Sequence, residues 1–266
     1  MRWSLSLGLY LTLSTSIAVA APGTRLVPVF AEHVAGVNNS IWQSEVRFYN
    51  PTSLPQVVSV AKIFPYGSSV CTGFAAMTIP AGALAQLRSI GCTQGAAAVE
   101  LSLDDRLVSD SVMTNIGQFP QDACCLSGYS QNIPVSAPVY APMWTVANLQ
   151  KPLSADRLSH LGRHNLGLLN AGDVAVNVTF RYFNAAGTEI DLPFLGVTHK
   201  SASVPAHTLI QVNDLLPFEQ ASITVPHESG YWRVLVTATG PINVYDSYVD
   251  NATNDATTIV AQPTQP

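Results

Sequence analysis

The stretch SEVRFYNPTSLPQVVSVAKIFPYG (44–67) aligns without a gap on HNLGLLNAGDVAVNVTFRYFNAAG (164–187), at a constant offset of 120 residues. Asn50 meets Asn170, Val58 meets Val178 and Gly67 meets Gly187. Three further matches keep the same order. PVFA (28–31) meets PVYA (138–141) at offset 110, TIPA (78–81) meets SVPA (203–206) at 125, and SDSVMTN (109–115) meets YDSYVDN (245–251) at 136. Ordered self-similarity implies one supersecondary module written twice. The offset changes within 142–163, 188–202 and 207–245. Insertions of that kind belong in surface loops.

The shared pieces carry the period of a β-strand. In VAVNVTFRY (174–182), Val174, Val176, Val178, Phe180 and Tyr182 alternate with Ala175, Asn177, Thr179 and Arg181, which is a half-buried strand. EVRFY (45–49) turns Val46 and Phe48 inward in the same way. YWRVLVTA (231–238) pairs in role with AAVELSL (97–103), and QVVSVAKIF (56–64) is apolar on both faces. Pro-, Gly- and Asn-containing turns separate these runs, as in an all-β sandwich. The fold expected is two tandem immunoglobulin-like β-sandwich repeats, 21–128 and 129–266, after a segment 1–20. Only 152–162 and 212–220 suggest a helical turn. Asn50 and Asn170 end strands, where Asn serves by a left-handed backbone or by hydrogen-bonding its own turn. Gly67 and Gly187 suit positive φ. The Asp-Ser echo equates Asp110 with Asp246 and Ser111 with Ser247, and Tyr140 falls opposite Phe30.

Residues 1–20 read as a signal peptide: Arg2, an apolar run, and Ala18-Val19-Ala20 as a small-x-small cleavage site. No later stretch is apolar and long enough for a membrane span. The expected location is the periplasm, the cell surface or the exterior. Four cysteines, Cys71, Cys92, Cys124 and Cys125, are then disulfide candidates. Cys71 and Cys92 flank TIPAGAL, where the chain folds back, and this favours a Cys71–Cys92 bond. Charged residues are 11 % of the chain and the net charge is −5. That balance carries no nucleic-acid footprint.

The segments VAGVNNSIWQSEVRFYNPT, TIPAG, RHNLGLLNAG and VYDSYVDNATNDATTI together resemble an uncharacterised family of secreted bacterial tandem β-sandwich repeat proteins. The matching positions are Gly36, Trp42, Ser44, Asn50 and Pro51, then Arg163, Asn165, Gly167 and Asn170, then Ser247, Asp250, Asn251 and Asp255. Ser111-Val112 departs from a Ser-Arg usual in that pattern. The resemblance implies stand-alone exported proteins or C-terminal modules, with no assigned activity and no catalytic residue.

Few residues point to chemistry. Asp246, Asp250, Asn251, Asn254 and Asp255 gather oxygens suited to Ca²⁺, against the alternative of a self-capping polar turn. His160 and His164 are four apart, but Gly162 lies between them and no third ligand is evident. Gly-x-Ser-x-Gly is missing, and no carboxylate pair stands out. Trp144, Tyr140 and Tyr129 could form a carbohydrate platform, or pack inside. Trp42 and Trp232 read as core. The expected function is a non-enzymatic structural or protein-interaction module, exported, pairing with a protein or glycan partner through edge strands. The alternatives are a carbohydrate-binding or adhesin-like module and, third, a secreted hydrolase.

Overall fold

The computed structural model describes residues 18–19, 23–36, 40–93, 95–117, 130–150, 162–184, 186–190, 201–213, 215, 231–250 and 256–264. Among them the protein is all-β, without a helix, and its sheets are antiparallel. Residues 152–161 and most of 212–220 lie outside the described residues, as do Cys124, Cys125 and Tyr129; Val212, at the start of the second segment, ends a strand.

The N-terminal half contributes β1 (Ala18–Val19), β2 (Thr24–Glu32), β3 (Val34–Ala35), β4 (Ile41–Tyr49), β5 (Gln56–Pro65), β6 (Met77–Ile79), β7 (Leu84–Leu87), β8 (Gly95–Ser102), β9 (Val108–Asn115) and β10 (Ser130–Ile133). One sheet runs β2-β8-β5-β6; the other runs β10-β9-β4-β3, with β7 also on β4. Their inner faces meet over Val46, Phe48, Val58, Phe64, Ile79, Val99 and Leu101, none more than 1 % exposed. Such side chains contribute about 1.5–3 kcal/mol each when fully buried. β1 lies on the edge of β11, through Ala18↔Tyr140 and Val19↔Val139.

The C-terminal half contains β11 (Val139–Gln150), β12 (Gly162–Asn170), β13 (Val176–Phe183), β14 (Glu189–Ile190), β15 (Ser201–Val204), β16 (Thr208–Val212), β17 (Tyr231–Asp250), β18 (Ala256–Val260) and β19 (Gln262–Pro263). Its pairing registers reproduce those of the first half. Val46↔Leu87 corresponds to Leu166↔Val212, and Gln56↔Ile79 to Val176↔Val204. These correspondences keep the offsets of 120 and 125. A register irregularity falls between Val27 and Phe30 in β2 and between Val146 and Leu149 in β11. The bridge Leu26↔Ser136 has its counterpart in Thr145↔Gln262.

Two sequence matches are displaced. Val46 opposes Ser111, whereas Leu166 opposes Asp246. The counterpart of Ser111 is therefore Asp246 and that of Asp110 is Tyr245, one residue away from the Asp-Ser echo. Burial agrees: Ser111 and Asp246 are both 1 % exposed, while Asp110 is in solvent. A one-residue slip turns every side chain to the other face, so burial rather than letter identity fixes the register. Likewise Phe30 corresponds to Leu149, the residue after the same irregularity, and not to Tyr140.

Strand assignment also departs from the immunoglobulin pattern. If β2, β4, β5, β6, β7, β8 and β9 are lettered A to G, the sheets here are AFCD and BEG. An immunoglobulin constant domain has ABED and CFG. The consecutive strands β8 and β9 lie in different sheets, separated by a turn in which Asp104 Oδ1 accepts from Arg106 N at 2.9 Å. In the C-terminal half β17 runs unbroken through Gly240 and Pro241 and serves both sheets.

The recurrent asparagines explain the strand ends. Asn50 Nδ2 donates to the carbonyls of Leu54, Ile79 and Pro80 at 2.8, 3.0 and 3.1 Å, and its Oδ1 accepts from Thr52 N. Asn170 Nδ2 donates to Val174, Val204 and Pro205 at 2.8, 3.1 and 3.0 Å, and its Oδ1 accepts from Gly172 N. Each buried amide thus ties the end of one sheet to the corner where the chain crosses to the other. The side chain does this work, since neither Asn has positive φ; Gly67 and Gly187 do, at 55° and 80°. At that corner Gly82 (φ 67°) corresponds to His207 (φ 51°). Cys71 and Cys92 form a disulfide, S–S 1.98 Å.

Candidate functional site

The halves join through one face of the C-terminal half. On β12, Leu166 and Leu168 point into that half's own core, while Leu169 points out. Leu169, Leu209 and Tyr245 complete the N-terminal core cluster with Leu26, Val29 and Phe30. Gly167 makes this possible, because a Cβ there would sit 1.9 Å from the Tyr245 ring. Gly67 N donates to Leu209 O at 3.3 Å, and Thr258 Oγ1 to Gln131 Oε1 at 3.1 Å. Tyr140 donates its hydroxyl to the buried Glu100 at 2.5 Å. Burial, with that carboxylate beside it, raises the Tyr140 pKa and keeps the phenol protonated.

Beside this junction a cleft of about 520 Å³ remains open, within the range of small-ligand sites. Trp42, Tyr66, Met113 and Gln131 line it from the N-terminal half, and Asn165, Leu209, Gln211, Asn213, Tyr245 and Ser247 from the C-terminal half. Among the described residues its polar side chains are amides, hydroxyls and an indole, with no ionisable acid or base beyond two tyrosines. Tyr245 is held protonated by burial, with Tyr66 adding to the upward shift. The cleft can therefore donate and accept hydrogen bonds and stack rings.

A second polar feature lies under the C-terminal wall. His164 Nδ1 and Asp246 Oδ2 are 2.9 Å apart, at 4 % and 1 % exposure. Asp246 Oδ1 has no hydrogen-bond partner, and the His164 ring lies 4.9 Å from that of Tyr248. Both His164 and Asp246 face inward with Leu166. Ser247, the next residue, faces the cleft, as successive strand residues must. Ser247 therefore does not join His164 and Asp246 in a nucleophilic triad. The matching position of the N-terminal half holds Ser44 and Ser111. Ser44 Oγ accepts from Ala31 N at 2.9 Å, and Ser111 Oγ has no partner.

The other candidates separate. Asp246 and Asp250 are four residues apart on one strand, about 13 Å at the usual rise. Asn251, Asn254 and Asp255 lie outside the described residues. No group of three potential metal ligands occurs among the described residues. Trp144 is fully buried, its Nε1 donating to Ala141 O and Ile242 O at 2.9 Å each, and Tyr140 is 9 % exposed. They cannot be a displayed platform. Trp42, expected in the core, is partly exposed and lines the cleft. His160 lies outside the described residues.

Sequence reasoning missed the cleft, although a signal was present. The outward positions Glu45, Gln86, Arg88 and Asp110 of one half correspond to Asn165, Gln211, Asn213 and Tyr245 of the other. Loss of charge along one face marks a face withdrawn from bulk water. No family model, curated protein or solved structure matches the chain.

Proposed function

We propose that this is an exported, internally duplicated β-sandwich protein that acts by binding an uncharged ligand or partner segment, not by catalysis. The lining of the cleft carries this reading. Two side chains able to stack, Trp42 and Tyr66, stand among the amides Gln131, Asn165, Gln211 and Asn213. Such a wall suits a neutral group rich in hydroxyl or amide functions. Duplication is supported by the recurring registers and by the two asparagine networks. The first repeat then runs from β2 through β10, since Ser130–Ile133 pairs with β9, and the second from β11 through β19. Export is supported by the character of residues 1–20 and is compatible with the Cys71–Cys92 bond. A carbohydrate ligand remains the alternative within this reading, transferred from Trp144 and Tyr140 to the cleft.

The test is to probe a neutral-glycan array and an array of uncharged peptides with the labelled mature chain. Hits should vanish with Trp42→Ala and with Gln211→Ala, and persist with Arg181→Ala on a distant face. An absence of hits on both arrays, or hits indifferent to Trp42 and Gln211, would refute the cleft as the binding site.

A further inference from the structure

We propose that the outer face of β4, β7 and β9 is a dimerisation surface that receives a second copy of this chain about a two-fold axis. The inference is independent of any cleft ligand. Leu84, Tyr49 and Val108 stand directly opposite one another across three strands, at 78 %, 41 % and 60 % exposure. An aligned apolar row on an open sheet face is a feature of interaction surfaces. The same row of the C-terminal half is Leu209, Leu169 and Asn243, at 1 %, 0 % and 4 % exposure, where that half seats on the N-terminal one. One pairing geometry thus exists covered and uncovered in the same molecule.

The uncovered face selects its occupant. The surface that covers Leu169 and Leu209 includes Leu26, Phe30 and the end of β5. In any second copy that surface is already taken by its own C-terminal half. The face that remains is the same face turned round. Across it runs a chain of ion pairs: Arg88 to Glu45 at 2.6 Å, Glu45 to Arg47 at 2.8 Å, and Arg47 to Asp110 at 3.7 Å. Its order is plus, minus, plus, minus. A two-fold axis lying in the face, perpendicular to the line from Arg88 to Asp110, brings Arg88 against Asp110 of the second copy and Asp110 against its Arg88, so the ends of the chain complement each other, as an isologous contact requires. The corresponding C-terminal side chains, Asn213, Asn165, Gly167 and Tyr245, have no such order.

Sedimentation of the mature chain tests this. The parent should show a concentration-dependent monomer–dimer equilibrium that stops at two. Leu84→Asp should weaken it at least about tenfold. Asp110→Arg and Arg88→Asp should each be monomeric where the parent is dimeric. An equimolar mixture of these two should dimerise again, because each contact then pairs Arg with Asp. All the substituted residues are exposed, and circular dichroism confirms that each variant is folded. A parent that stays monomeric up to roughly 1 mM, assembly past two, parent-like association by Leu84→Asp, Asp110→Arg or Arg88→Asp alone, or a mixture that fails to pair would each overturn the proposal.

Discussion

The two halves of this protein share a frame and differ in what each does with it. Both clamp a strand end to a sheet-crossing corner with one buried asparagine, and both pair their strands in one register. At the centre of the frame, however, the N-terminal half has Ser44 and Ser111 where the C-terminal half has His164 and Asp246. On the outer face, the N-terminal half is charged and exposed, while the C-terminal half is neutral, with Leu169 and Leu209 buried against its neighbour and Gln211 and Asn213 lining the open cleft. The lesson is that hydrogen bonds at corners set the fold, while the identity of the face residues decides what each copy of it meets.

The sharpest way to break the comparison is at the central pair. Removing one partner of a buried ionisable pair strands the other, at a cost of about 3–5 kcal/mol. Asp246→Ala and His164→Ala should each destabilise by that amount in denaturant titration. The double replacement His164→Ser with Asp246→Ser, which copies the N-terminal half, should cost clearly less than the sum. If it costs the full sum, the two sites are not equivalent.

Next come the asparagines. Each Nδ2 serves three carbonyls, so Asn50→Ala and Asn170→Ala should each lose about 3 kcal/mol at roughly 1 kcal/mol per bond. Calorimetry should find the two losses alike. A large loss for one and none for the other would contradict a shared role.

A smaller effect is expected at Gly167, the counterpart of Arg47. Gly167→Ala drives a methyl into the Tyr245 ring and should cost about 2 kcal/mol by overpacking. Arg47→Ala, on the open face, should stay within about 0.5 kcal/mol in the monomer. Equal values would mean that the junction yields freely.

His207 occupies left-handed backbone where the N-terminal half has Gly82. His207→Gly should stabilise by about 0.5–1 kcal/mol, since relief of the backbone outweighs the added chain entropy. Its contact with Asp173 is exposed and worth little. A fall in melting temperature would show that this contact matters more than the strain.

The smallest effect is a pH dependence confined to the N-terminal face. The hydrogen bond from Arg47, aided by Arg88 and opposed by partial burial, holds the Glu45 carboxyl below its ordinary pKa. A lowered folded-state pKa gives stability that is present above the unfolded value, near 4.3, and is lost as pH falls through the folded value. Glu45→Gln should therefore narrow the gap in melting temperature between about pH 6 and about pH 3. An unchanged gap would remove Glu45 as its source.

Much of the frame was legible without coordinates. Alternation in 45–49 and 174–182 gave strands with the correct inward residues except Val174, which precedes β13 and is 71 % exposed, and the constant offsets located Asn50, Asn170 and the Pro80 and Pro205 corners. Symmetry about TIPAGAL brought Cys71 to Cys92. These features are local, or depend on periods of two that any strand imposes on its own residues. The matches that misled, PVFA with PVYA and the Asp-Ser echo, are short strings whose register is set by a partner strand far along the chain. Sequence likewise determined that Trp144 and Tyr140 are large and amphipathic. Only tertiary packing decided that both lie inside and that Trp42 faces a cleft. Burial is a property of what lies opposite, and for His164 and Asp246, 82 residues apart, nothing in the local pattern says that they will meet.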